Sequence, residues 1–158
     1  MKVVVFGGTG HVSRYTVPML VDAGYEVIVS SRGIKPVPTT GKWAKVKHIA
    51  CDFNNEDSLE PLKALRPEIV INMLDPKCVY NKFKSCAKHV ISCGSLWMLG
   101  EPLIVPTPEV LQAPPKYYGP RMEFFTEVLE GPKDGALFTG ILPPNICGPG
   151  QIPLECLG

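Results

Sequence analysis

The sequence predicts an α/β fold built on a doubly wound parallel sheet, and three observations predict it. Strand and helix patterns alternate through the first half of the chain. The strand segments are unbroken apolar runs, as expected of a sheet covered by helices on both faces. A glycine-rich turn, Gly7-Gly8-Thr9-Gly10, joins the first strand to the first helix. Right-handed crossovers between parallel strands then lead to the doubly wound order. At 158 residues the chain reads as one domain, 1–158, long enough to bury a real core.

Each element has its own signal. Lys2–Phe6 is β-branched and bounded by glycine, so it reads as a buried strand. Gly10–Ala23 carries Val12, Val17, Leu20 and Val21 at mixed three- and four-residue spacing, the pattern of a helix ending at Gly24. Pro18 is a misfit inside it. Tyr25–Ser30 and Val46–Cys51 read as the second and third strands. Asn55 or Asp57 is placed to cap a helix through Leu65. Glu68–Met73 is a fourth strand, Val79–Lys88 a short helix, and His89–Ser92 the start of a fifth strand. Tyr118–Leu129 reads as a helix and Ala136–Leu142 as a sixth strand. About 15 residues lie between Met73 and His89, which makes a parallel crossover feasible but tight. Prolines crowd into 102–120 and 132–153, so the second half should hold long extended loops.

Composition excludes several classes. A net charge of +1 argues against a nucleic-acid or membrane-surface partner. The longest apolar runs are strand-length and too short to span a bilayer. The apolar start Val3–Phe6 stops at Gly7-Gly8 with no small-residue cleavage site, so it reads as a strand rather than a secretory leader. The cysteines, Cys51, Cys78, Cys86, Cys93, Cys147 and Cys156, form no C-x-x-C pair and match no zinc spacing. No metal is expected, and free thiols in a reducing cytoplasm are.

The sharpest chemical signal is Gly7-Gly8-Thr9-Gly10-His11-Val12-Ser13, between a strand and a helix. Gly7 allows a tight turn, and Gly10 lets backbone approach a pyrophosphate with no Cβ in the way. The helix N-terminus offers free N–H groups and a positive dipole end. These residues therefore read as a dinucleotide site in a Rossmann-type domain. Ser13 stands at the third glycine position, where a small side chain implies a modest packing cost. At the end of the second strand Ser31 and Arg32 stand where an acidic residue would bind the ribose of NAD(H), and Lys35 follows closely. No carboxylate is there to repel a 2′-phosphate, and Arg32 can pair with one. NADP(H) is the expected cofactor, NAD(H) the alternative.

Taken together the motifs resemble the extended short-chain dehydrogenase/reductases, the NAD(P)-dependent epimerase/dehydratase family. Gly7-Gly8-Thr9-Gly10 resembles its phosphate loop. Cys51-Asp52-Phe53 falls where the family holds adenine, and Met73 and Leu74 stand at the end of the fourth strand. Ile91-Ser92-Cys93-Gly94-Ser95-Leu96-Trp97 resembles the fifth strand with its catalytic Ser/Thr. Tyr117-Tyr118-Gly119 resembles the start of the catalytic Tyr-x-x-x-Lys helix. Leu142-Pro143-Pro144-Asn145-Ile146-Cys147-Gly148-Pro149-Gly150 resembles the segment facing nicotinamide and substrate. The resemblance implies Gly7, Gly8, Thr9, Gly10, His11, Val12, Ser31, Arg32, Lys35, Asp52, Phe53, Met73, Leu74, Pro143 and Asn145 as cofactor residues. It implies Tyr118 as acid/base, with Ser92, Cys93 or Ser95 at the substrate oxygen.

The departures bear on catalysis. The family's lysine lies four residues after its tyrosine. Counting from Tyr118 gives Met122, and counting from Tyr117 gives Arg121. Glu127-Val128-Leu129 downstream favours the Tyr118 register, so Met122 replaces the lysine, with Arg121 and Lys116 as the nearby cations. That lysine binds the nicotinamide ribose and lowers the tyrosine pKa, which is near 10 unperturbed. Aligning Leu96-Trp97 on the family's Val-Tyr puts Cys93 at the hydroxyl position, leaving Ser92 or Ser95 to substitute for it or to serve as plain strand-end serines.

The implied activity is hydride transfer on a hydroxyl or carbonyl of a small molecule such as a nucleotide-sugar. The alternative is a non-catalytic NADP(H)-binding module or sensor. The family's substrate-binding part lies mostly past the position of Gly158. The chain therefore reads as the cofactor domain with the substrate domain largely absent, either a piece of a longer protein or a minimal form. Phe124, Phe125 and Val128 offer a homodimer face on the tyrosine-bearing helix, or core packing.

Overall fold

The computed structural model describes residues 1–74, 76–100, 106, 108–109, 119–131 and 134–149. Strand β1 (Lys2–Phe6) leads to helix α1 (Ser13–Asp22), β2 (Glu26–Ser31) and β3 (Lys47–Ala50). A 3-10 turn, Glu56–Leu59, runs into α2 (Glu60–Ala64). Then follow β4 (Ile69–Asn72), α3 (Pro76–Phe83), β5 (His89–Cys93), α4 (Gly119–Glu130) and β6 (Leu137–Ile141). Among the described residues six strands form one parallel sheet, in the order β3-β2-β1-β4-β5-β6. This is the doubly wound order expected from the sequence, with its switch point between β1 and β4.

The two-residue period of β1 explains why it lies in the middle of the sheet. Val4 and Phe6 face one core with Ile28, Val70, Leu62, Val79, Phe83 and Phe125. Val3 and Val5 face the other with Val17, Val27, Val29 and Ile71. Helix α1 covers the second face through Val17, while α2, α3 and α4 cover the first. Each fully buried Val side chain stabilises the fold by about 1.5–3 kcal/mol.

Several boundaries differ from the sequence reading for identifiable reasons. Helix α1 begins at Ser13 rather than Gly10, because residues 7–12 form the turn itself. Pro18 lies inside α1, where it cannot donate to the Arg14 carbonyl. The tight β4–β5 crossover is made by the eight-residue α3, which starts at Pro76, since proline suits a helix's first turn. Asn55 does cap its segment, accepting from the Asp57 N–H at 3.1 Å.

Of the two roles open to the apolar residues of α4, core packing is the one the structure shows. Phe124 and Phe125 are 4% and 1% exposed. They form edge-to-face pairs with Phe138 at 6.0 and 5.2 Å, and Phe124 meets Tyr80 at 5.9 Å. Val128 packs against the same cluster. The sheet needs cover over β5 and β6, and these side chains are the apolar surface α4 has to give.

At the N-terminal edge of the sheet, Glu68 ties three strands together. Its carboxylate accepts from the Lys2 N–H and from Lys88 Nζ, both at 3.1 Å. The Lys88 hydrogen bond is the main cause that lowers the Glu68 pKa from 4.5, with the Lys2 N–H second. A lowered folded pKa gives stability that is present above 4.5 and lost as pH falls through the folded value. Glu68→Gln is therefore expected to flatten the acid limb of the stability curve below that pH, a small effect at a partly exposed site, read by circular dichroism during acid titration. An unchanged acid limb would remove Glu68 from the account.

Candidate functional site

The turn after β1 is shaped by its glycines. Gly7 has φ +74°, a conformation that favours glycine. The N–H groups of Gly7 and Gly8 both donate to the Ser30 carbonyl, at 2.9 and 3.3 Å, and the Gly10 N–H donates to the Gly7 carbonyl at 2.9 Å. A Cβ on Gly8 would lie 2.4 Å from Val29 Cβ, so only glycine lets the turn pass β2. Ser13, at the third glycine position, is the first residue of α1 and is buried there.

The start of α1 lacks the usual means of satisfying its amides. Val12 stands at the N-cap with no side-chain cap, and the first turn carries no acidic residue. Among the described residues, the N–H groups of His11, Val12 and Ser13 have no acceptor. Two side-chain atoms beside them, His11 Nδ1 and Ser13 Oγ, are buried and also without a partner. Leaving a buried polar group unsatisfied costs about 1–3 kcal/mol. Unpaired donors at the positive end of a helix form a ready anion site.

These groups open into a cleft of about 390 Å³ at the C-terminal ends of β1, β2, β4 and β5. Of the residues assigned to the cofactor, Gly7, Thr9, Gly10, His11, Val12, Ser31, Arg32, Lys35, Phe53, Met73 and Leu74 line it. Arg32 and Lys35 are its lysine and arginine side chains, and none of its described lining residues is Asp or Glu. Phe6, Ser13, Ser30, Ile34 and Cys51 also line it, without having been assigned.

Four assigned residues are placed elsewhere. Gly8 is turned toward β2, as above. Asp52 Oδ1 accepts from the Asn54 N–H at 3.1 Å and from Asn54 Nδ2 at 3.2 Å, so its carboxylate holds an Asx-turn beside the cleft. The Pro143 carbonyl accepts from the Leu96 N–H at 2.9 Å, and Asn145 is exposed. The chain after β6 does return to the phosphate turn: the Tyr15 hydroxyl donates to the Pro149 carbonyl at 3.1 Å. Gly148 lies there beside the His11 ring.

The catalytic candidates separate. Ser92 is fully buried within the sheet and accepts from Asn72 Nδ2 at 3.4 Å, the residue paired with it across β4 and β5. Ser95 Oγ accepts from the Trp97 N–H at 3.4 Å, capping the turn Leu96–Leu99. Neither hydroxyl lines the cleft. Cys93 does, and burial pushes its thiol pKa up, the Arg121 charge opposing only in part. It is a neutral thiol at pH 7, not an activated nucleophile. Tyr118 lies outside the described residues, as do Tyr117 and Lys116. Met122 is half-buried and packs against the core.

A doubly wound parallel sheet with a glycine turn and open helix N-terminus at the β1 end defines a Rossmann-type domain. The family model of the NAD dependent epimerase/dehydratase family matches residues 3–98, and the chain belongs to that family. Solved structures share the fold. The Bordetella bronchiseptica enzyme WbmG in complex with NAD has a TM-score of 0.72 at 17% identity, covering 90% of this chain and 52% of that one. The UDP-glucose 4-epimerase of Thermotoga maritima, with UDP-glucose, has a TM-score of 0.70 at 20% identity, covering 90% and 55%. The yeast methylglyoxal/isovaleraldehyde reductase Gre2 with NADPH has a TM-score of 0.61 at 17% identity, covering 94% and 56%. The chain thus spans about half the length of these structures. Among curated protein sequences no significant match is found. No described helix is long and apolar enough to cross a membrane.

Proposed function

We propose that the chain is the NADP(H)-holding domain of an oxidoreductase of the epimerase/dehydratase family, acting in the cytoplasm on a small polar substrate such as a nucleotide-sugar. The observation that carries this reading is the set of unpartnered donors at the start of α1, open to the cleft. They fit a pyrophosphate, to which the amides of His11, Val12 and Ser13 and the buried Ser13 hydroxyl can donate. Arg32 and Lys35, with no carboxylate among the described lining residues, support the 2′-phosphorylated cofactor. Phe53, Met73, Leu74 and Ile34 give the cleft apolar walls against the bases and exclude water. When bound, a nicotinamide cofactor supplies or takes up a hydride at a hydroxyl-bearing or carbonyl carbon. The substrate class rests on the family and on the nucleotide-sugar bound by the Thermotoga epimerase. The cytoplasm is supported by the free thiols among the described residues.

A second reading, a non-catalytic NADP(H)-binding module, is favoured by Met122. Where the resemblance places a lysine, a thioether packs on the core and supplies no charge to lower a tyrosine pKa. General acid–base help is worth about 10²–10⁴-fold and depends on such tuning. The chain is therefore expected to bind NADP(H) in calorimetry while reducing or oxidising sugar nucleotides poorly or not at all. Met122→Lys should raise turnover in a protein that carries a substrate domain, and change little in the 158-residue chain. Robust turnover with Met122 in place removes the second reading. Failure to bind either dinucleotide removes both.

A further inference from the structure

We propose that His48 is a positioning residue for cofactor choice, fixing the Ser31 hydroxyl as a hydrogen-bond donor toward a 2′-phosphate. This rests on the NADP(H) reading above and adds to it a residue outside the cleft. Ser31 ends β2 and lines the cleft beside Arg32 and Lys35. His48, on β3, pairs in register with Val29. Side chains alternate along a strand, so Val29 and Ser31 lie on the same face, and His48 shares it. Its Nε2 lies 3.0 Å from Ser31 Oγ. The Gly33 N–H donates to that same oxygen at 3.4 Å.

A hydroxyl has one proton and two lone pairs. If His48 Nε2 carries a proton, the two lone pairs of Ser31 Oγ take the Gly33 and His48 N–H groups. The hydroxyl proton is then free to donate into the cleft, which suits a phosphate oxygen. If Nε2 is bare, the hydroxyl proton goes to the ring and Ser31 has no donor left to offer. A phosphate bound beside Arg32 selects the first arrangement, since it alone supplies a donor. His48 therefore acts through Ser31, without touching the cofactor.

The test is calorimetric titration of the chain with NADP(H) and with NAD(H), for the wild type and for His48→Ala, His48→Gln, Ser31→Ala and the double Ala variant. One hydrogen bond is worth roughly threefold to tenfold in affinity. His48→Ala is expected to lower the NADP(H)-to-NAD(H) affinity ratio by that factor. His48→Gln, whose amide can present a donor in place of Nε2–H, should restore most of it. In the Ser31→Ala background His48→Ala should change the ratio no further. Equal losses for both cofactors would show a merely structural histidine and overturn the inference, as would an undiminished His48 effect without the Ser31 hydroxyl. Arg32→Asp separates the two levels. If it shifts the ratio while His48→Ala does not, the His48 inference fails alone. If neither shifts it, or if neither cofactor binds, the NADP(H) reading fails and the inference falls with it.

Discussion

Gly10→Val is expected to abolish dinucleotide binding while the chain stays folded. A Cβ at this position meets a single non-neighbouring atom within 4 Å, the Gly7 carbonyl oxygen at 3.0 Å. The turn must give by a few tenths of an ångström, and within 4 Å no other non-neighbouring atom stands in the way at this half-buried position. The branched side chain would then stand among the unpartnered amides of His11, Val12 and Ser13, where a pyrophosphate has to approach. Gly8→Ala is the contrasting control. Its Cβ would lie 2.4 and 2.7 Å from Val29 Cβ and Cγ1, in the middle of the sheet, where overpacking costs about 1–3 kcal/mol or more. Thermal melts paired with calorimetry separate the two. Gly10→Val should melt near the wild type and show no binding heat, whereas Gly8→Ala should melt lower even without cofactor. Wild-type affinity in Gly10→Val would sink the phosphate-turn assignment.

The parts of the fold legible in the sequence were those set by local pattern. β1 and β4 are apolar on both faces, so Val3–Phe6 and Ile69–Ile71 can only be central strands. The boundaries were less legible, because they depend on what the neighbouring chain does. The start of α1 was hidden by His11 and Val12, which look helical but belong to the turn. The α4 aromatics look alike as core or as interface. Only the presence of Tyr80 and Phe138 opposite them decides for core.

The site divides in the same way. The glycine turn and Ser31-Arg32 are contiguous stretches and could be read directly. Phe6, Ile34 and Cys51 reach the cleft because parallel strands end at one edge, which no single stretch records. Other signals lie in the local pattern itself. Strand alternation puts Ser92 and Cys93 on opposite faces, so the two were never equivalent candidates for one role. Asp52-Phe53-Asn54 is an Asx-turn pattern, and Ser95 stands two residues before an amide it can cap. Short polar side chains at such places have local work, which competes with any part in catalysis.

Arg32→Asp is expected to reverse the cofactor preference. Arg32 and Lys35 line the cleft and no described lining residue is acidic, so the end of β2 is electrostatically open to a 2′-phosphate. A charge-assisted hydrogen bond to phosphate contributes about 1.5–3 kcal/mol, roughly tenfold to a hundredfold in affinity. Arg32 is exposed, so solvent and salt screen part of this, and the lower end of that range is the expected loss of NADP(H) affinity. The introduced carboxylate repels a phosphate and accepts from the ribose hydroxyls, so NAD(H) affinity should hold or rise. The measurement is the pair of dissociation constants at low and at high salt. For the wild type the NADP(H) advantage should shrink as salt rises, and for Arg32→Asp the ratio should invert and depend less on salt. If both constants keep their ratio, Arg32 is a solvated loop charge. Lys35→Ala and Ser31→Ala then show which of the remaining groups beside β2 does the selecting.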